Sequence, residues 1–328
     1  VGFLLPLATG SRLIYTGKIP TPSILERICR EERPTAICMV PMVMEKIYKK
    51  KVLPAISSGL TAKAMRLPMV RTRILRAIGN RLQAFFGGEL KVVAIGGAPL
   101  NIEVERFLAD SCFPYLVGYG LTEASPLVSG GPYRDRTIPL GSAGKPVRDV
   151  EVRIVNPNPE TRLGEIMVKG PNVMQGYRDN PQATAESLSA DGWLATGDLG
   201  FLDRRGYLFI KGRSKSVIVL SHGENIYPEP IEEKINTFQH VVESLVLEHE
   251  NRLTAKVYLD YELIDAETRG KDQQQQLAHI ASILADIKTR VNRELPPYSQ
   301  LATLTEHREP FVKTATQKIK RYLYTNAP

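Results

Sequence analysis

The chain has 328 residues, a length that predicts two or three domains. Of these residues 43% are hydrophobic and 24% charged, a composition typical of a soluble globular protein. No apolar run reaches the length of a transmembrane helix, which argues against a membrane-spanning chain. The formal net charge of +8 suits anionic partners, such as nucleotides or an acidic membrane surface, and equally a solubilising surface.

The three cysteines, Cys29, Cys38 and Cys112, share no spacing typical of metal sites. Each lies in apolar sequence, which predicts reduced thiols in the core of a cytoplasmic protein.

The first forty residues alternate between strand and helix patterns. RLIYTG (12–17) predicts a short strand, TPSILERICREE (21–32) a helix capped by Thr21, and TAICMVP (35–41) a buried strand. A strand–helix–strand unit implies a parallel sheet.

The segment 61–88, TAKAMRLPMVRTRILRAIGNRLQAFFGG, is basic and contains no acidic residue. Apolar residues recur in it at near-helical spacing, from Leu67 to Phe85. Two interpretations are open: a core-packed helix pair whose basic face is solvated, or a peripheral helix that contacts an anionic membrane.

A second strand–helix–strand unit follows. KVVAIGGAPL (91–100) and YLVGYGLTEASP (115–126) are strands that end in glycine-rich loops, and NIEVERFLADSC (101–112) between them is a helix opened by Asn101. Ligands of parallel sheets bind beyond the carboxyl ends of the strands, so both loops point to one crevice.

The predicted pattern of secondary structure changes twice in the remainder of the chain. Short strands interrupted by Gly, Pro and Asn predict a small antiparallel barrel at 135–213, and strands alternating with helices predict a small α+β domain at 214–328. The expected fold is therefore α/β, with a parallel-sheet part at 1–134 and the barrel forming a large domain, followed by the small, mobile C-terminal domain.

Several polar residues lie where such a fold binds ligands. In GYGLTE (118–123), glycines allow close approach of a ligand, Thr122 can bond an oxyanion, and Glu123 can hold a divalent cation that bridges phosphates. Asp198, in a predicted loop after Gly197, can accept the hydroxyls of a ribose. Taken singly, each motif is equally readable as an ordinary turn.

The order of these motifs resembles the adenylate-forming superfamily, which contains acyl-CoA synthetases, adenylation domains of peptide synthetases and luciferases. GGAPLNIEVERFL, GYGLTEASP, GPNVMQGYRDNPQATAES, DGWLATGDLG and ENIYPEPIE are most similar to the long-chain fatty acyl-CoA synthetase branch. The resemblance implies that the nucleotide is bound by Gly96, Gly97, Ala98, Tyr119, Gly120, Asp198 and Arg213.

The resemblance also implies individual roles. Tyr119 stacks on adenine, Thr122 bonds a phosphate and Glu123 coordinates Mg²⁺. Asp198 holds the ribose, and Lys318 contacts the acyl carboxylate and the phosphates during adenylation.

Further residues are implied in the second half-reaction. Lys215 matches a hinge between the large and small domains, and the loop at Gly223 and Glu224 faces the channel for the pantetheine of CoA. Two positions depart from the family pattern: Gln317 stands where glycine usually precedes the lysine, and Pro230 where that branch usually has Glu.

A phosphate loop rich in Ser, Thr and Gly, which the family carries upstream, has no match in this chain. The chain also begins at Val1 inside an apolar segment, so we expect a C-terminal portion that is inactive alone.

The implied activity is that of an ATP- and Mg²⁺-dependent long-chain fatty acid–CoA ligase, with fatty acid, ATP and CoA as partners and no nucleic acid. Two alternatives stay open: a non-catalytic fragment that binds nucleotide or acyl groups, and a ligase that delivers the acyl group to a carrier protein. The expected location is the cytoplasm, with or without membrane association through 61–88.

Overall fold

The computed structural model describes residues 4–17, 21–131, 135, 137–220, 224–314 and 318–325. The chain divides into two compact units. Unit 1 comprises Val1–Thr196 and Gly200–Ile210, and unit 2 comprises Gly197–Leu199 and Lys211–Pro328.

The helices of unit 1 precede or connect its strands. They are α1 (Leu4–Ala8), α2 (Pro22–Glu32), α3 (Pro41–Ile47), α4 (Leu53–Ser57), α5 (Gly59–Ala64), α6 (Pro68–Phe85), α7 (Ile102–Asp110) and α8 (Pro181–Ser187), with a π-helical turn at Tyr48–Val52 and a 3₁₀ turn at Thr122–Ala124.

The predicted caps of two helices are confirmed. The Thr21 hydroxyl accepts the backbone N–H of Ile24 at the start of α2. The Asn101 side-chain oxygen accepts the N–H of Glu103 at 2.9 Å and of Val104 at 3.3 Å at the start of α7. Such caps satisfy N–H groups that have no partner inside the helix.

The first sheet has the order β1-β2-β3-β4-β5, with strands β1 (Ala36–Met39), β2 (Val92–Gly96), β3 (Tyr115–Gly120), β4 (Leu127–Gly130) and β5 (Lys145–Pro146). Strands β1, β2 and β3 are parallel, which confirms the α/β class and the parallel sheet. Gly96 pairs with Gly118, so the glycine-rich ends of β2 and β3 leave the same edge of the sheet.

Three expectations were wrong: a strand at 12–17, a buried strand at 35–41, and burial of all three cysteines in the core. Residues 11–16 are irregular and Tyr15 is exposed, so RLIYTG forms no strand. Strand β1 is half exposed because it lies at the edge of the sheet order, and Cys38 on it is exposed. Cys112 is also exposed; only Cys29 is buried, and burial raises the pKa of its thiol to about 11.

The core of unit 1 lies between the sheet and the long helix α6. Leu75, Ile78, Leu82 and Phe85 of α6 are buried in the same cluster as Val93 of β2. Burying each such side chain contributes roughly 1.5–3 kcal/mol. The C-terminal part of the apolar stripe in 61–88 therefore packs in the core.

A second sheet has the order β6-β7-β8-β9, formed by β6 (Glu151–Val155), β7 (Gly164–Lys169), β8 (Leu194–Leu202) and β9 (Leu208–Arg213). Strands β6 and β7 are antiparallel. The chain passes between the two units within β8 and within β9. Closure of these strands into a barrel stays a prediction.

Unit 2 packs three helices with a three-stranded sheet. Its elements are β10 (Ile218–Val219), β11 (Asn225–Ile226), α9 (Pro228–Asn236), β12 (Val241–His249), β13 (Arg252–Leu259), α10 (Tyr261–Glu267), α11 (Gln273–Glu294) and β14 (Leu301–Glu306). Strand β13 is antiparallel to β12 and parallel to β14. Within the ranges described, no helix is long and apolar enough to cross a membrane.

Candidate active site

Two glycine loops lie side by side at the carboxyl ends of β2 and β3. A Cβ at Gly96 would lie 3.1 Å from the carbonyl oxygen of Gly118, and Gly97 has a φ of +90°. Gly97 and Ala98 are exposed. Small residues are therefore required where the strands approach, and the backbone beyond them is accessible to a ligand.

The loop after β3 folds tightly on itself. A Cβ at Gly120 would lie 1.9 Å from the carbonyl oxygen of Pro126, and the N–H of Leu121 donates to that oxygen at 2.9 Å. No larger residue fits at position 120 unless the backbone moves, so glycine is needed here for packing.

This fold of the loop presents Thr122 and Glu123 on one 3₁₀ turn, Thr122–Ala124. Thr122 is exposed, and the Glu123 carboxylate accepts the Tyr177 hydroxyl at 2.8 Å. The hydrogen bond from Tyr177 to the carboxylate is the largest cause that raises the pKa of Tyr177.

The segment 172–177 supports the turn. The N–H of Met174 donates to the carbonyl oxygen of Glu123 at 2.8 Å. The Asn172 amide donates to the carbonyl oxygens of Ala124 and Leu127, both at 2.8 Å. Sequence reasoning gave Asn172 and Tyr177 no role, although both lie in GPNVMQGY, a motif that carried the family resemblance.

Tyr119 makes structural contacts within unit 1 in addition to its expected role. It pairs with Ser129 across β3 and β4 and packs, half buried, against a cluster that contains Ala124 and Val128. Its stacking on adenine stays a prediction.

Asp198 and Arg213 form a pair within unit 2. Asp198 is 6% exposed, and its carboxylate accepts the Arg213 Nε–H at 3.0 Å. The expectation of a loop at Asp198 was wrong, because the residue lies inside β8. A carboxylate can accept about four hydrogen bonds, so this pair is compatible with ribose hydroxyls.

Two further expected residues of unit 2 are exposed. Lys215 is exposed on the 3₁₀ turn Ser214–Ser216 that follows β9, and Glu224 is exposed just before β11. Gly223 and Gln317 lie outside the described residues.

Lys318 is exposed, and its backbone is held by Thr314. The N–H of Thr314 donates to the Lys318 carbonyl oxygen at 2.8 Å, and the N–H of Lys318 donates to the Thr314 hydroxyl at 3.2 Å.

Charged side chains anchor the chain on both sides of Lys318. Arg321 forms an ion pair with Glu232 of α9 and donates to the carbonyl oxygen of Val246 at 3.2 Å. Before Lys318, the Lys313 ammonium lies 2.6 Å from the Glu243 carboxylate.

The Glu232 carboxylate also accepts the N–H of Val246 at 2.7 Å. Burial raises the pKa of Glu232 to about 7, although the Arg321 charge and the Val246 N–H oppose the rise. Sequence reasoning missed this anchor, since no motif marks Glu232 as the partner of a residue near the end of the chain.

The donor set fits Mg²⁺ held through one carboxylate. Among the described residues, no group of three or more His, Cys, Asp or Glu side chains is placed to hold a metal ion. Mg²⁺ usually keeps several waters and binds through one or two carboxylates and substrate phosphates. Glu123, partly exposed beside Thr122, suits that arrangement.

The sequence profile of the AMP-binding enzyme family matches residues 1–178, more than half of the chain. The chain belongs to the AMP-binding enzyme family. This confirms the resemblance to adenylate-forming enzymes.

Named relatives in this family act on different acids. The chain is 28% identical over 262 residues to a 2-succinylbenzoate–CoA ligase of Enterococcus faecalis, covering 79% of this chain and 50% of the relative. It is 33% identical over 278 residues to the long-chain-fatty-acid–CoA ligase ACSBG1 of Bos taurus, covering 76% of this chain and 38% of the relative.

Among solved structures, ATP-bound MatB from Rhodopseudomonas palustris superposes with a TM-score of 0.68 and 25% identity, covering 97% of this chain and 55% of that one. The chain thus spans about half the length, or less, of the relatives it matches.

Proposed function

We propose that the full-length protein is an ATP- and Mg²⁺-dependent acyl-CoA ligase whose acid is a long-chain fatty acid. The observation that carries the proposal is the tight loop after β3. In a chain of the AMP-binding enzyme family, it presents a hydroxyl and a carboxylate beside a second glycine loop.

In the first half-reaction, a carboxylate oxygen of the fatty acid attacks the α-phosphorus of ATP, and pyrophosphate leaves as acyl-AMP forms. Thr122 donates a hydrogen bond to a phosphate oxygen, and the Lys318 ammonium stabilises the charge that builds on the phosphorus. Mg²⁺, when held by Glu123, neutralises charge on the phosphate oxygens. Asp198 and Arg213 orient the nucleotide through its ribose.

In the second half-reaction, the CoA sulfur attacks the acyl carbon, the thiol proton is released, and AMP leaves. We propose Lys215 as the position whose backbone changes between the half-reactions, and Gly223 and Glu224 as residues beside the pantetheine. The ATP-bound state of MatB supports ATP as the nucleotide substrate.

A second candidate acid is 2-succinylbenzoate, because relatives that act on it match over as much of the chain as the fatty-acid ligases do. These acids differ in shape: one is a flexible apolar chain and the other an aromatic dicarboxylate.

The test is product analysis with full-length protein, ATP, Mg²⁺ and CoA, using fatty acids of graded length and 2-succinylbenzoate. We expect AMP and long-chain acyl-CoA in equal amounts. Turnover of 2-succinylbenzoate alone would establish the second candidate. Release of acyl-AMP that only a carrier protein consumes would overturn CoA as acceptor, and formation of ADP in place of AMP would overturn the proposal entirely.

A further inference from the structure

The segment from α5 to the first residues of α6 in unit 1 exposes three large apolar side chains. Leu60 is 86% exposed, Leu67 60% and Met69 78%. Apolar side chains scattered singly on a surface are normal, but three within ten residues mark a candidate interaction surface.

The sequence around these side chains is one-sided in charge. Ten of the 43 Lys and Arg residues of the chain, and none of its 35 Asp and Glu residues, fall between positions 46 and 88. The rest of the chain is close to neutral, so the basic character of the protein is concentrated in this segment.

Helix α6 separates its basic and core-facing sides. Met69, Arg73 and Arg76 stand at i, i+4 and i+7 and therefore share one face, while Leu75 and Ile78 on the opposite side are buried. The apolar residues in the C-terminal part of the expected stripe therefore pack in the core, and the opposite, outer side of α6 carries arginines.

Three of the arginines in this segment have no carboxylate partner among the residues that the structure describes. Arg66, Arg73 and Arg76 form no ion pair with a described carboxylate. Arg71, by contrast, points toward α7 and pairs with Asp110 at 2.9 Å. Arg71 is therefore an internal control for the outward-facing set.

We propose that this outer face, defined by Leu60, Arg66, Leu67, Met69, Arg73 and Arg76, docks on an anionic lipid bilayer. The aliphatic side chains enter the boundary between headgroups and acyl chains, and the arginines contact lipid phosphates. A nucleic acid or an acidic protein surface would satisfy the cations but would gain little from three projecting aliphatic side chains, whereas a bilayer accommodates both. The proposal concerns a surface outside the proposed reaction site and does not rest on the proposed activity.

The test is co-sedimentation of full-length protein with vesicles of phosphatidylcholine alone and with about 30% phosphatidylserine, at low and high salt. We expect binding to anionic vesicles that weakens with salt. The triple variant Arg66→Gln/Arg73→Gln/Arg76→Gln should bind at least about 10-fold more weakly, since each cation contributes roughly fivefold near an anionic surface.

Two matched controls separate this face from general effects. Arg252→Gln/Arg269→Gln/Lys271→Gln removes the same charge from exposed positions of unit 2, and Arg71→Gln removes the inward arginine. Both should bind nearly as the parent does. Leu67→Ser/Met69→Ser should weaken the binding that remains at high salt, and Leu277→Ser, at a 48% exposed position of α11, should not.

Several results would overturn the proposal. The first is failure of the parent protein to bind anionic vesicles. The second is an equal loss of vesicle binding in both triple variants. The third is displacement of the protein from vesicles by soluble heparin, combined with no effect of Leu67→Ser/Met69→Ser on vesicle binding. Thermal unfolding of each variant checks that the fold is intact, and substitutions at exposed positions are expected to change it little.

Discussion

The loop at 120–126 in unit 1 and the segment at 318–325 in unit 2 both carry side chains with proposed roles, but different contacts hold them. The first is fixed by the backbone: Gly120 packs against Pro126, and the N–H of Met174 bonds the carbonyl oxygen of Glu123. The second is fixed by charge, through the ion pair of Arg321 with Glu232.

This difference has consequences for how each region responds to change. A backbone-fixed loop tolerates no added atom at its glycine but is insensitive to pH and salt. A charge-fixed segment tolerates changes of size at its surface, yet its stability changes with pH, because ionisation of its buried carboxyl group carries a cost of burial.

The largest expected effect is at the charge-fixed segment. Lys318→Ala should lower the rate of acyl-AMP formation about 10²–10³-fold, the usual cost of removing one group that stabilises charge in a transition state. Thioester formation from supplied acyl-AMP should be largely retained, because the CoA sulfur then attacks the acyl carbon and not the phosphorus. Single-turnover assays of each half-reaction measure this, and equal losses in both would remove Lys318 from the proposed role.

The backbone-fixed loop is tested by Gly120→Ala. The added methyl group would overlap the Pro126 carbonyl oxygen, so we expect a loss of about 1–3 kcal/mol in stability and a similar loss in adenylation. Gly130→Ala is the matched control, because a Cβ there meets no atom within 4 Å. Thermal unfolding and adenylation rates compare the two, and similar behaviour of both variants would contradict the packing argument.

Asp198→Ala tests the charged pair in β8 and β9. Losing a charge-assisted hydrogen bond to ribose should cost about 1.5–3 kcal/mol in kcat/KM for ATP. Steady-state kinetics with varied ATP give the value. An unchanged kcat/KM would mean that Asp198 only positions Arg213.

The smallest expected effect is the pH dependence of the buried anchor. The pKa of Glu232 is raised to about 7 in the folded state, above its unfolded value, so this group stabilises the fold fully below about 4.5 and loses that contribution as pH rises through 7. Between pH 5 and pH 8 the parent should lose about 1–2 kcal/mol relative to Glu232→Gln, which cannot ionise. Parallel stability curves for the two proteins across this range would show that Glu232 is already ionised at pH 5.

Local features of the fold could be predicted from the sequence, whereas contacts between residues far apart in the sequence could not. The helix caps at Thr21 and Asn101 and the parallel sheet follow from local patterns, and both were predicted. The sequence assigned the glycines to close approach of a ligand, whereas Gly120 is needed for packing against Pro126. The partner of Arg321 lies 89 residues away and bears no motif, so only the folded chain identifies it. RLIYTG has strand propensity, but no described strand pairs with it, and propensity alone does not form a sheet.

The proposed function requires that the full-length protein activates a carboxylic acid as an adenylate. The most direct measurement is ATP–pyrophosphate exchange with Mg²⁺ in the absence of CoA. We predict exchange that requires a long-chain fatty acid, proceeds without CoA and falls sharply in Lys318→Ala. Exchange that needs no acid, exchange that needs CoA, or no exchange with any carboxylic acid would contradict the account.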